Sequence, residues 1–228
     1  MYQKAVNNHE LLSQSNGCVI TIDGPAASGK STVARHLAKK LGFIFVSSGY
    51  YYRALAWGVL QKKLEPSQEN KIASWLQTLD FQTTIIEGEA RPLLNNCDPK
   101  EHLFDPGVNA LVSPLAALPE VRKFLLTKLR NLSLDHNLVI EGRDIGSVVF
   151  PDTPFKFYLD ASLEERMRRR HQEGEIDAIA ERDRSDSSRA VAPLLIPDGA
   201  RVIDTTHLSI GEVAEHIFQC IQEKTQVM

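Results

Sequence analysis

Apolar positions along the chain switch between two spacings. Cys18-Val19-Ile20-Thr21-Ile22 is a short apolar run of strand length. Val33, Leu37 and Leu41 then recur at helical spacing until Gly42 stops the pattern. Phe43 to Val46 predicts a second short buried strand, and Ser47-Ser48-Gly49 a turn into a helix over Tyr50 to Leu60. Pro66 and Ser67 mark a break, Ser67 to Leu79 is weakly helical, and Phe81 to Ile86 reads as a strand. Glu87 to Pro106 lacks periodicity and is rich in turn formers. Helical character returns over Asp105 to Leu118, where Pro114 predicts a kink or a break. Pro119 opens a helix over Glu120 to Leu132, and Asn137 to Ile140 and Phe155 to Leu159 are further strands. Ser162 is placed to cap a helix running to Gln172, with Glu164 and Glu165 in its first turn and arginines toward its end, as the macrodipole favours. Glu173-Gly174-Glu175 breaks that helix, and Ile176 to Ser187 resumes it. Ala192-Pro193 to Gly199 is a loop, Arg201 to Ile203 the last strand and Ser209 to Glu223 a terminal helix. Strands alternating with helices imply an α/β fold, with a parallel sheet of five strands flanked by helices on both faces.

The 228 residues suit one sizeable α/β domain with small inserts. A net charge of −3 argues against bulk binding to nucleic acid or to an anionic membrane. The three cysteines, Cys18, Cys97 and Cys220, are far apart and lack metal-ligand spacing, so free thiols in a reducing compartment are expected. Residues 1–16 are polar, without an apolar core of signal-peptide length, and read as an N-terminal extension before a domain over 17–228. No apolar run approaches a membrane span, and a cytoplasmic location is expected.

Chemistry enters between the first strand and the first helix. Gly24 to Thr32 reads GPAASGKST and fits G-x-x-x-x-G-K-[ST], a loop that cradles phosphates, in the strand-loop-helix setting that supports it. Gly24 and Gly29 let the backbone turn tightly and approach an anion. The N–H groups of Pro25-Ala26-Ala27-Ser28-Gly29 and beyond (proline excepted) face the phosphates, and the next helix adds its positive end. Lys30 supplies a mobile charge for the γ-phosphoryl group, Ser31 a hydroxyl for Mg²⁺, and Thr32 a phosphate contact or a cap. The ligand expected here is a nucleoside triphosphate with Mg²⁺.

Three further stretches stand where open α/β sheets bind ligands or beside that position: SSGYYYR (47–53), EGRDIGSVVFP (141–151) and RDRSDSSRAVAPL (182–194). With GPAASGKST, in this order and spacing, they resemble the bacterial cytidylate kinases, P-loop nucleoside monophosphate kinases that phosphorylate CMP and dCMP with ATP. The resemblance covers residues 18 to 223 and implies a P-loop kinase core with two mobile inserts: a CMP-binding insert over 62–118 and a lid over 170–182. It implies a monomer, with small nucleotides as its partners.

The resemblance also implies residue roles. Ser48, Arg53, Arg143 and Arg189 would hold the CMP phosphate, since an arginine fork grips phosphate bidentately. Lys30, Arg143 and Arg189 would neutralise charge during transfer. Asp144 matches a carboxylate that accepts from the cytosine amine and so rejects uracil, with capping of a following helix as its other reading. Arg122 matches the donor to cytosine N3 and O2, and Ser113 a second contact to the amine. Arg182 and Asp186 match the sugar contacts, and four residues apart on a helix they also suit a plain ion pair. Asp23 and Glu141, each at a strand end, suit water-mediated support of Mg²⁺ rather than direct ligation. The basic block Arg166 to His171 suits triphosphate contact, a lid hinge or a solvated helix end.

The chain departs from the family pattern in places. Ser47 stands where the family usually carries an aspartate, and Tyr50 where it carries alanine. Of the tyrosines at 50, 51 and 52, some must pack in the core, because one helix face cannot hold all three. The segment between the arginine helix and RDRSDSSR is shorter than usual, which predicts more ATP hydrolysis without acceptor. Two other functions fit a P-loop: a kinase for another small acceptor such as shikimate or gluconate, and a nucleotide-binding protein with weak turnover.

Overall fold

The computed structural model describes residues 17–172, 183 and 194–227. Its centre is a run of parallel strands, β1 (Val19–Asp23), β2 (Ile44–Ser47), β5 (Leu138–Gly142), β6 (Phe155–Asp160) and β7 (Arg201–Asp204), ordered β2-β5-β1-β6-β7. These are the five parallel strands the sequence predicts. The sheet itself has seven strands. β3 (Phe81–Ile86) and β4 (Glu89–Leu94) form an antiparallel hairpin, which joins β2 through the pairing of Phe45 with Glu89.

The fourth of these strands falls in the stretch that reads as turn-rich. Its burial alternates, but the inward positions are Ala90, Pro92 and Leu94, and neither alanine nor proline advertises a strand. Glu87 and Gly88 make the two-residue hairpin turn, both with positive φ (52° and 79°). β4 pairs with β2 only at Glu89 and along its length with β3, apart from an isolated Leu94–Cys97 bridge, so Pro92 interrupts no ladder with β2.

Strand alternation sends side chains to two cores. Val139 faces a cluster with Ile20, Ile22, Leu37 and Phe157, under α1 (Lys30–Leu41) and α7 (Ile210–Val227). Leu138 and Ile140 face the other cluster, with Tyr51, Leu55, Leu115, Leu125 and Leu129. That second face is covered by α2 (Ser48–Gln61), α3 (Glu69–Thr78), α4 (Pro106–Ala116) and α5 (Pro119–Asp135). Fully buried Leu or Phe side chains contribute about 1.5–3 kcal/mol each, so two such layers hold the sheet as a rigid platform.

Local signals decide the helix ends. α1 begins at left-handed Gly29 and stops at left-handed Gly42, whose N–H returns to the last turn. Ser162 caps α6 (Leu163–Gln172) as expected, accepting the Glu165 N–H at 3.2 Å. Ser209 and Glu212 cap α7 reciprocally: Glu212 accepts the Ser209 N–H at 2.8 Å and donates its own N–H to Ser209 Oγ at 3.3 Å. Pro114 does not break its helix. α4 runs through it and ends two residues later, so only one late backbone bond is lost. Of the three tyrosines, Tyr51 is fully buried, and Tyr50 and Tyr52 are half-buried. Among the described residues, no helix is long and apolar enough to cross a membrane.

Candidate active site

The carboxyl ends of the parallel strands converge on a cleft of about 400 Å³. The phosphate loop leaves β1, Ser48 leaves β2, and Arg143 and Asp144 leave β5. Ala26, Ala27, Gly29, Lys30, Ser31 and Thr32 line the cleft on one side. Gly24, Pro25 and Ser28 are buried and support the loop from beneath. Gly24 has φ +146°, and a Cβ there would stand 2.0 Å from the Leu159 carbonyl oxygen, so only glycine lets the loop leave the strand against β6.

Side chains brace the loop on three sides. The Lys30 ammonium donates to the Pro25 carbonyl at 2.5 Å and to Ser28 Oγ at 3.4 Å, which folds it back over the loop. Thr205, just past β7, donates to the Ser28 carbonyl at 3.1 Å and accepts from Arg169 at the same distance. Arg166 is buried: it donates to the Ala26 and Ala161 carbonyls and pairs with Asp183, which itself accepts the Ala26 N–H at 3.2 Å. Part of the basic block is therefore structural rather than solvated. Arg170, one turn on, lines the cleft.

Glu141 is buried at the end of β5, in register with Ser47 on β2. Its Oε1 accepts from Ser47 Oγ at 2.5 Å and from Ser31 Oγ at 3.1 Å. Ser47 thus uses a hydroxyl to hold a carboxylate, a contact hidden in the sequence because 94 residues separate the two. Three hard oxygen donors meet beside the Lys30 helix start. That donor set fits Mg²⁺, which takes oxygen ligands and keeps several waters.

Asp23 has a different place from the one its position suggested. Its two oxygens accept the N–H groups of Ile145 and Gly146, at 2.8 and 2.7 Å. It anchors the wide helical turn Ile145–Val149 that follows Arg143 and Asp144. Burial pushes its carboxyl up to about 7, against the lowering by those two N–H groups; nearby Asp144 adds to the rise and Lys30 opposes it.

The acceptor side is built from α2, α4, α5 and the 143–149 turn. Ser48, Arg53, Ser113, Arg143 and Asp144 line the same cleft as the phosphate loop. Asp144 does not cap the turn after it with its side chain. The carboxylate instead pairs with Arg122, whose Nη1 also donates to the Ala116 carbonyl at 3.2 Å. Both residues are buried. Arg122 opens, with Asp144, on a second, mostly apolar crevice of about 280 Å³ between α5 and the turn. Arg53 is held by the loop before α4 and by that helix's first turn: its Nη1 donates to the Leu103 carbonyl at 2.9 Å and to Asn109 Oδ1 at 2.5 Å, and the Phe104 ring covers its guanidinium. The expected sites Arg182, Asp186 and Arg189 lie outside the described residues, as do residues 1–16 and most of the 170–182 segment. Asn109 and Thr205 had no motif to flag them, and Asp183 stands in the 182–194 stretch with no role assigned to it; each touches the site through other residues.

Comparison with known proteins agrees with this geometry. The family model described as cytidylate kinase matches residues 20–223. A cytidylate kinase from Caldanaerobacter subterraneus is 41% identical over 218 residues, covering 91% of this chain and 96% of that protein. One from Carboxydothermus hydrogenoformans is 41% identical over 222 residues, with 92% and 99% covered, and one from Pasteurella multocida 39% identical over 224 residues, with 93% and 99% covered. A match over nearly the whole chain, on a sheet whose strand ends gather a phosphate loop, two arginines and a buried arginine–aspartate pair, places this chain in the cytidylate kinase family.

Proposed function

We propose that this protein transfers the γ-phosphoryl group of ATP to the phosphate of CMP and dCMP, giving CDP and dCDP. The observation that carries the proposal is that Asp144, buried and paired with Arg122, lines the cleft that the phosphate loop also lines. A carboxylate has about four acceptor positions, so pairing with Arg122 leaves it capacity to accept from an exocyclic amine. Cytosine offers that amine. Uracil would turn its O4, a second acceptor, toward the carboxylate and leave a buried polar group without a donor.

The chemistry needs two anionic phosphate groups held in line, with charge neutralised as the phosphoryl group moves. On the donor side, the loop N–H groups and the α1 dipole hold the β-phosphate, and Lys30 leaves its loop partners to follow the γ-phosphoryl group. On the acceptor side, Ser48, Arg53 and Arg143 grip the CMP phosphate, joined by Arg189, while Ser113 meets the base and Arg182 and Asp186 the ribose. Ser31 would hold Mg²⁺, with Glu141 in support, and the ion would supply charge screening for the donor phosphates. Residues 62–118 serve as the acceptor insert and 170–182 as the lid. ADP release measured with ATP and each of CMP, dCMP, UMP and AMP tests the proposal. Turnover with CMP and dCMP far above the others supports it. Equal turnover with UMP, or none with CMP, refutes it.

A further inference from the structure

Arg53 is placed by a residue that no motif marks. Asn109 lies in the first turn of α4, after the loop that carries Leu103 and Phe104. Its side-chain amide makes two bonds in opposite directions: Oδ1 accepts from Arg53 Nη1 at 2.5 Å, and Nδ2 donates to the Phe104 carbonyl at 2.9 Å. The same Nη1 donates to Leu103, so both of its hydrogens go to this one segment. The Phe104 ring lies 4.6 Å from the guanidinium carbon, and Tyr50 meets that ring edge-on at 6.0 Å. A long arginine side chain has large rotamer freedom, and this clamp removes much of it before any ligand arrives.

Helical spacing adds a second link. Asn109 and Ser113 are four residues apart and share one face of α4. Ser113 and Arg53 line the same cleft. One rigid helix therefore presents a residue at the base end of the acceptor site and a residue that sets the arginine at its phosphate end.

We propose that Asn109 is a positioning residue: it pre-orients Arg53 for the phosphate of the acceptor nucleotide and ties that grip, through α4, to the base contact at Ser113. The inference rests on the acceptor reading given above. Without Asn109, Arg53 loses one of its anchors and more of its side chain must be ordered at the moment of binding, so acceptor affinity falls while donor affinity does not.

The test is a double-mutant cycle of Asn109→Ala and Arg53→Ala in the full chain, reading KM for CMP, KM for ATP and binding of cytidine, which lacks the phosphate. Alanine is a strong helix former, so α4 is retained. The expected result is a rise of about tenfold in KM for CMP, the size of one lost charge-assisted contact. KM for ATP and cytidine binding stay within about twofold, and Asn109→Ala adds nothing in the Arg53→Ala background. Asn109→Gln, which keeps the amide but displaces it, raises KM for CMP in the same way. An unchanged KM for CMP, an equal loss of cytidine binding, or a full effect without Arg53 would overturn the role of Asn109. A wild-type protein that binds ATP but not CMP would overturn the acceptor reading itself.

Discussion

Arg122, in the first turn of α5, and Asp144, directly after β5, form a buried ion pair: Asp144 lines both the cleft of about 400 Å³ and the mostly apolar crevice of about 280 Å³, and Arg122 lines the crevice. Removing one member of a buried pair leaves the second desolvated and uncompensated, at a cost of about 3–5 kcal/mol. Asp144→Ala is therefore expected to lower the stability measured by denaturant unfolding by an amount in that range. Replacing both residues by apolar side chains is expected to cost less than either single change.

Lys30 holds two loop oxygens with its ammonium, and its proposed work is done on the phosphoryl group in flight. Lys30→Ala is expected to lower kcat by roughly 10²–10³-fold, as removal of a group aimed at developing charge does. KM for CMP, which concerns the other half of the cleft, is expected to move by less than about threefold. Steady-state kinetics with saturating ATP distinguishes the two effects.

Ser47 and Glu141 together present one carboxylate beside Ser31. In Ser47→Asp a second carboxylate is buried against the first, and like charges at that distance repel strongly. The variant is expected to melt about 5 °C lower in chelator, and to regain more stability than the wild type on addition of Mg²⁺. Thermal melts with and without the ion check this.

Asp23 makes stability depend on pH in an unusual direction. Its carboxyl is raised to about 7 in the folded protein from an ordinary value of 3.8. Between those values the folded state binds the proton and the unfolded state has lost it, so this group's contribution falls as pH rises from about 4 to about 7. Asp23→Asn removes that slope. Chemical unfolding at several pH values across the window, comparing the two proteins, reads it out.

Much of the donor half was legible in the sequence, because its parts are contiguous: one loop, GPAASGKST, between a strand and a helix. Arg143 and Asp144 stand just past a strand that reads clearly, and the family resemblance of the stretch EGRDIGSVVFP supplied their expected roles. What stayed hidden is long-range. Ser47 meets Glu141 across 94 residues, Asn109 meets Arg53 across 56, and Asp183 meets Ala26 across 157. No local period encodes such pairs. The hairpin strand Glu89–Leu94 was hidden for another reason: its inward positions include an alanine and a proline, which carry little strand preference and draw their burial from the helices packed above.

Selection between cytosine and uracil bears most directly on the proposed function. The measurement is the ratio of kcat/KM for CMP to that for UMP, in the wild type and in Asp144→Asn, with ATP as donor. Asparagine keeps the shape of the side chain but offers an amide donor to uracil O4. The wild-type ratio is expected to exceed about 100, the discrimination that hydrogen-bonding sites readily reach, and to collapse toward unity in the variant. A ratio that is the same in both proteins would contradict the role given to Asp144 and the acceptor assignment built on it.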